Sequence, residues 1–205
     1  MYDTIKHLIE TRASVNHYDT SRDLTQHDIA ELVRLATLAP SAYNFQNWKF
    51  IAVRSPAAKA RLKAVSYGQQ KVVDAAVTFI ICGTLAAHER LASALQPSLT
   101  AGILDQALCE TWVGMAQRSH CDNPQLQRDE AFRSASLAAM TLMLAAQGMG
   151  LSTGSMSGFD PLGVAREFGL AATEVPVMLV TVGYPAPGNW PQKPRKQLAE
   201  VMAFA

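Results

Sequence analysis

Surplus charge of either sign is what this sequence most plainly lacks. Its 18 lysines and arginines stand against 17 aspartates and glutamates, a formal net charge of +1 at pH 7. A protein that grips a nucleic-acid backbone needs a concentrated positive field, so nucleic acid is not expected as a partner. Cysteine is scarce too. Cys82, Cys109 and Cys121 are odd in number and widely spaced, with no CxxC pair and no metal-ligand rhythm around them. Reduced thiols in a cytoplasmic protein are the simplest reading. Long hydrophobic runs are absent: the longest, Leu137 to Met149, is interrupted by Gln147 and Gly148 and falls short of the ~18 apolar residues of a membrane span. A core helix buried on every side is expected there, with no membrane association. The first ten residues carry Asp3, Lys6, His7 and Glu10, unlike the apolar core of a signal peptide, so export is not expected.

The familiar catalytic signatures are missing as well. Gly148, Gly150 and Gly154 approximate a dinucleotide-binding glycine run, but the spacing is off by one and a helical pattern precedes it where a strand is required. Gly154-Ser155-Met156-Ser157-Gly158 has the outline of a nucleophile elbow with methionine in the nucleophile's place, which disfavours a hydrolase. His7, His17, His27, His88 and His120 are scattered, with no i, i+4 pair around a carboxylate, so no metal ligand is expected. The His120-Cys121-Asp122 cluster reads as a polar helix end rather than a thiolate catalyst.

What is present is a well-patterned globular chain. Its 205 residues suit a single domain, 1–205, and 49% hydrophobic against 17% charged residues hints at apolar surface covered by a partner subunit. Helical spacing runs from Tyr2 to Thr11, and again after a Thr25/Asp28 capping box, with Ile29, Leu32, Val33, Leu35 and Ala36 on one face. Strands are predicted at Trp48 to Val53, Ala76 to Cys82 and Val175 to Tyr184, the last of them central in a sheet. Ser55-Pro56 caps a helix over 57–65, and Asp160-Pro161 caps a short one ended by Gly169. Gly148 is the expected stop of the Ser134 to Gln147 helix. Residues 85–123 are helical but irregular. Three strong strands with five or more helices, not strictly alternating, predict an α+β architecture. The proline-rich tail from Pro185 to Ala205 is too apolar at its end for disorder and is expected to wrap onto a neighbour.

Between these elements lie polar loops: Arg12 and Ser14 after the first helix; Pro40, Ser41, Ala42, Tyr43 and Asn44 in a tight turn; Gln69, Gln70 and Lys71 opening a helix; Lys193 and Arg195 near the end. In order along the chain, Arg12-Ala13-Ser14-Val15-Asn16-His17-Tyr18-Asp19, then Ala39-Pro40-Ser41-Ala42-Tyr43-Asn44-Phe45-Gln46-Asn47-Trp48, then Gly158-Phe159-Asp160, then Pro194-Arg195 resemble the nitroreductase family. The Ala-Pro-Ser-x-x-Asn-x-Gln-x-Trp element is the most specific of these.

The resemblance implies a mainly antiparallel sheet flanked by helices in an intertwined homodimer, with FMN at the interface. It places Arg12, Ser14, Lys193 and Arg195 around the phosphate, a dianion suited to charge-assisted contacts from arginine. Ala13 stands where the family often has arginine, and Asn16 where it usually has a basic residue, leaving fewer charges there. Gln69, Gln70 and Lys71 are implied at the pyrimidine edge of the ring, which gains negative charge on reduction. Ser155, Met156, Ser157 and Gly158 are implied along the ring's reactive nitrogen, where glycine lets backbone approach a flat surface. Ser157 lies where relatives may carry glutamate, so no carboxylate role transfers. The turn with Pro40, Ser41, Ala42 and Asn44 is implied to serve the opposite protomer's site.

The activity so implied is ping-pong hydride transfer from NAD(P)H through FMN to a small electron-poor acceptor such as a nitroaromatic or quinone. The flavin performs the chemistry and no catalytic side chain is assigned. Other flavin chemistry on the same fold, namely dehalogenation or flavin fragmentation, and a non-catalytic flavin-binding or sensing role are the rival readings. Acceptor specificity is expected in the 85–123 segment.

Overall fold

Two long β-branched runs set the centre of the structure, a computed structural model that describes residues 1–205. They are β2 (Val77–Thr84) and β4 (Glu174–Gly183), buried along most of their length and paired antiparallel, with a register shift between Ile81 and Cys82. On their outer sides lie β1 (Trp48–Val53), paired to β2, and β3 (Ser152–Met156), paired to β4, both antiparallel. The sheet order is therefore β1-β2-β4-β3. The central position expected of the Val175 to Tyr184 run is met by β4. The fourth strand, β3, was not predicted: Ser-Thr-Gly-Ser-Met carries no β-branched apolar alternation, and its extended form comes from pairing with β4.

Because side chains alternate across a strand, β2 feeds two cores. Val77, Phe79 and Ile81 join α2 (Gln26–Ala36) and α7 (Pro124–Gly148) through Leu32, Ala36, Ala135, Ala139 and Leu142. Ile80 and Cys82 face the other way, onto Leu62 of α3 (Pro56–Ala64) and Val164 of α8 (Pro161–Phe168). Burial pushes the Cys82 thiol up to about 12, so it is a packing group rather than a nucleophile. α7 lies close against β2 because residue 83 is glycine: a Cβ there would fall 2.4 Å from the carbonyl oxygen of Ala131. No helix is long and apolar enough to cross a membrane.

The capping logic holds residue by residue. Thr25 and Asp28 form the reciprocal box opening α2, Ser55 Oγ accepts from Ala58 N at α3, and Asp160 Oδ1 accepts from Leu162 N at α8. Gly169 ends α8 in the left-handed conformation, φ +62°. α7 departs from expectation in three ways. It begins at Pro124, behind an Asn123 cap, rather than near Ser134. Gly148 is its last helical residue, and the left-handed turn falls at Gly150, φ +73°. It is not buried all round either: Leu137 and Met140 remain 41% and 37% exposed.

The irregular 85–123 region forms a helical hairpin, α5 (Leu91–Thr100) and α6 (Gln106–His120), over a third core of Phe45, Leu91, Leu95, Cys109 and Ala116. His120 ends α6, and Cys121 and Asp122 beyond it are exposed as expected of a polar helix end, but the His120 side chain itself is buried. It is 5% exposed, set edge-on to Phe45 at 5.1 Å and stacked at 6.0 Å on His88, which is also buried. Two one-turn helices, α4 (Lys71–Asp74) and α9 (Leu198–Val201), and the N-terminal α1 (Tyr2–Thr11) complete the fold.

Burial, with His88 beside it, depresses the His120 imidazole below its ordinary 6.5. A depressed imidazole leaves the unfolded state holding more protons, so its contribution is fully present above pH 6.5 and is lost as pH falls through that value toward the folded one. The urea midpoint should therefore drop between pH 7 and pH 5.5, and the drop should be shallower in His120→Gln; equal slopes in the two proteins would contradict this burial.

Candidate functional site

The site grows from one edge of the sheet. After α1 the chain turns back and runs beside β3: Ser14 bridges Thr153 in the parallel sense, and Val15 N donates to Thr153 O at 3.0 Å. Tyr18 anchors the far end of this loop. Its hydroxyl lies 2.7 Å from Thr181 Oγ1, its ring is buried, and burial holds the phenol far above its usual pKa, so it stays protonated. The close approach depends on Gly154, where a Cβ would meet both Val15 O and Thr181 Oγ1 at 2.7 Å.

The tail is laid over the same loop by two side chains. Asn189 Oδ1 accepts from the backbone N–H groups of Asn16 (2.7 Å) and His17 (3.0 Å), while Asn189 Nδ2 donates to His17 O at 2.8 Å. Gln192 Nε2 donates to Arg12 O at 3.0 Å. Between loop and tail lies a cavity of about 110 Å³ lined by Arg12, Ala13, Ser14, Trp190, Gln192, Lys193 and Arg195, among others. The chain's ion pairs all lie elsewhere, so these three cations face one small cavity without a carboxylate. Lys193 Nζ sits 4.9 Å from the centre of the Trp190 ring.

A second cavity, about 280 Å³, is lined only by polar and charged residues, Asn16, His17, Gln69, Gln70, Lys71 and Asp74. Lys71 Nζ donates to Asn16 Oδ1 at 3.2 Å, and desolvation lowers its pKa. Gln69 Nε2 donates to the Gly158 carbonyl at 2.7 Å, fastening this cavity to the segment leaving β3. There Ser155 and Ser157 are exposed, whereas the Met156 side chain is turned into the core behind the sheet, so only its backbone faces the site. A Cβ at Gly158 would meet Gln69 Nε2 at 3.3 Å.

Within one chain the Pro40–Asn44 turn does not join these cavities. Pro40, Ser41 and Ala42 line a separate one with Glu130, Arg133, Ser134 and Leu137. Ser134 Oγ is buried there without a partner. The turn is strained: Tyr43, Asn44 and Gln46 all have positive φ, at 51°, 60° and 50°. It is braced by Ser41 Oγ, which accepts from Gln46 N at 2.9 Å, and by the Tyr43 ring set against Phe45, Trp112 and His120. Trp48, the last residue of the same motif, is half-buried at the start of β1. Sequence reasoning passed over Asn189, Trp190, Gln192, His17 and Asp74. The first three sit in a proline-rich stretch without periodicity, where only Gly188, at φ +92°, hinted at a defined turn.

The Arg12–His17 loop thus lines a small cationic cradle with Arg12, Ala13 and Ser14 and a separate lysine-bearing cavity with Asn16 and His17, in an α+β protein whose antiparallel sheet is flanked by helices. The sequence model of the nitroreductase family matches residues 9–184. YodC of Bacillus subtilis (strain 168), which is named for NAD(P)H nitroreductase activity, is 35% identical over 86% of this chain and 87% of its own. MhqN of the same organism, named likewise, is 34% identical over 86% of each. Among solved structures, the nitroreductase-like ydfN of Bacillus subtilis superposes with a TM-score of 0.93 at 30% identity over the whole of both chains. A nitroreductase of Exiguobacterium sibiricum 255-15 in complex with FMN shares the fold, with a TM-score of 0.90 at 24% identity over 98% and 97%. The chain belongs to the nitroreductase family. It is accordingly an oxidoreductase.

Gly154→Ala should separate the loop from β3, lowering stability by about 1–3 kcal/mol, as overpacking does. Hydrogen exchange at the Val15 amide should quicken in that variant. An unchanged exchange rate and unfolding midpoint would contradict the contact.

Proposed function

We propose that this oxidoreductase is an FMN enzyme that takes hydride from NAD(P)H and passes it to a small electron-poor acceptor such as a nitroaromatic or quinone. Residues 1–205 act as one domain in a cytoplasmic homodimer. The observation that carries the reading is the unpaired trio Arg12, Lys193 and Arg195 around a cavity of phosphate size. Their donor chemistry fits a phosphate dianion: guanidinium groups supply forked N–H donors, and a point charge comes from lysine. Ala13 leaves the cradle without the additional arginine frequent in the family.

The adjoining cavity fits the polar edge of a flat ring, offering Lys71, Gln69, Gln70 and Asn16. The segment Ser155, Met156, Ser157 and Gly158 is assigned to the ring's reactive side; its tie to this cavity is the Gly158 carbonyl, which accepts from Gln69 Nε2, and a Cβ at Gly158 would crowd Gln69. Bound there, the flavin would supply the reversible hydride chemistry that no amino-acid side chain offers. The chain's own residues bind and orient: the cations hold the phosphate, Lys71 places positive charge where negative charge develops, and glycine admits close approach.

The second subunit is inferred from exposed apolar surface. α1, which packs against α7, buries none of its residues and leaves Tyr2, Ile5 and Ile9 in solvent, and Leu137 and Met140 of α7 are exposed as well. Leu198, Val201, Met202 and Phe204 of the tail are likewise uncovered. Patches of this kind mark interfaces. Pairing across them would bring the Pro40, Ser41, Ala42 and Asn44 turn of one chain to the cradle of the other.

Purified protein should be yellow and release FMN, and anaerobic NAD(P)H should bleach its visible absorbance. A flavin that stays oxidised would contradict the activity. Arg195→Ala removes one charged hydrogen-bonding group worth ~1.5–3 kcal/mol, so its FMN dissociation constant should rise about 10- to 100-fold. Full flavin retention in that variant, with the fold intact by circular dichroism, would contradict the phosphate assignment.

A further inference from the structure

We propose that Asn16 is a positioning residue that holds Lys71 as an uncompensated cation at the flavin's pyrimidine edge, and that its neutrality is what suits it to this. The inference rests on the proposed placement of the ring beside Lys71.

Lys71 opens a helix of only four residues, and its one side-chain hydrogen bond goes to Asn16 Oδ1 at 3.2 Å. Partial burial disfavours its charged form, and no carboxylate offsets that cost. One carboxylate is at hand: Asp74 lines the same cavity, three residues along the chain. It is engaged elsewhere, since Asp74 Oδ1 accepts from Gln70 Nε2 at 2.6 Å, while Gln70 Oε1 accepts from Lys63 Nζ at 2.6 Å. Gln70 thus ties Asp74 to its own amide and keeps it from pairing with Lys71. Asn16 is itself fixed from behind, its backbone N–H given to Asn189 Oδ1 at 2.7 Å.

An amide oxygen orients an ammonium group without cancelling its charge. A carboxylate at position 16 would form an ion pair with Lys71, and a second ammonium there would repel it. Reduction of the flavin places negative charge at the edge that Lys71 faces. A lysine that is aimed but not neutralised therefore stabilises the reduced form more than the oxidised one, raising the midpoint potential. Asn16 and Gln70 act on that potential through Lys71, by tether and by diversion of Asp74.

The test is the two-electron midpoint potential of the flavin in the holoprotein, measured by dye equilibration for wild type and five variants. Lys71→Gln and the isosteric Asn16→Asp should each lower the stability of the reduced form relative to the oxidised form about tenfold, close to 30 mV for a two-electron couple. Gln70→Leu should shift it the same way by releasing Asp74. Gln70→Leu/Asp74→Asn should return it to the wild-type value, and Asp74→Asn alone should leave it there. If Lys71→Gln shifts the potential and Asn16→Asp does not, the tether is wrong and the cofactor placement stands. If neither shifts it in flavin-loaded protein, the placement of the ring beside Lys71 is wrong. Should Asn16→Asp fail to fold, the Gln70 pair decides: a potential unmoved by Gln70→Leu overturns the account of an uncompensated Lys71.

Discussion

Everything at the candidate site depends on how closely the Arg12–Tyr18 loop can approach β3. At Gly154 there is no room for a methyl group between Val15 O and Thr181 Oγ1, and at Gly183 a Cβ would stand 3.0 Å from the Tyr18 ring. Only because these positions lack side chains can the loop run as a partial extra strand, bridged at Ser14 and sealed by the buried Tyr18 hydroxyl. The tail then has something to lie on. Asn189 and Gln192 read the loop's backbone, and in doing so they set Lys193 and Arg195 opposite Arg12. A steric permission in the sheet thus becomes an electrostatic feature at its edge.

That feature is local. A chain with net charge +1 has little long-range field, yet three cations share a cavity of about 110 Å³ without a carboxylate among them. Acidic residues elsewhere are taken up by partners of their own: Glu174 with Lys49, Glu31 with Arg34, Glu130 with Arg133. Exposed pairs like these contribute little to stability. None of them involves a residue that lines the cradle. The same pattern recurs around Lys71, where Gln70 occupies Asp74.

Much of this was legible in the sequence, for reasons that are themselves physical. The β-branched runs that became β2 and β4, and the caps at Thr25, Ser55 and Asp160, act over a few residues, so spacing alone reveals them. Residues grouped from the sequence also come together in space: Arg12, Ala13 and Ser14 share a cavity with Lys193 and Arg195 from the opposite end of the chain, and Asn16 shares one with Gln69, Gln70 and Lys71. β3 escaped notice because a polar edge strand takes its conformation from its neighbour. The roles of Asn189 and Gln192 escaped because an amide that binds a distant backbone leaves no periodic trace. His120, expected in a polar helix end, is buried, since its surroundings of Phe45 and His88 are assembled from remote segments. The Ser134 to Gln147 stretch is apolar nearly all round and so reads as buried on every side, but Leu137 and Met140 are left open.

Those open residues, the uncovered face of α1 and the strained turn at 43–46 are accounted for together by the proposed homodimer, in which half of each site would belong to another copy of the chain. The most direct test is subunit complementation. Homodimers of Arg195→Ala, and homodimers in which Ser41 and Asn44 are both changed to alanine, should each bind FMN poorly. Mixed dimers carrying one lesion per chain should regain one intact site, combining the cradle of one subunit with the turn of the other, and so bind about half the wild-type amount of flavin. Mixed dimers that recover no flavin beyond the average of their parents would contradict a site shared between two chains.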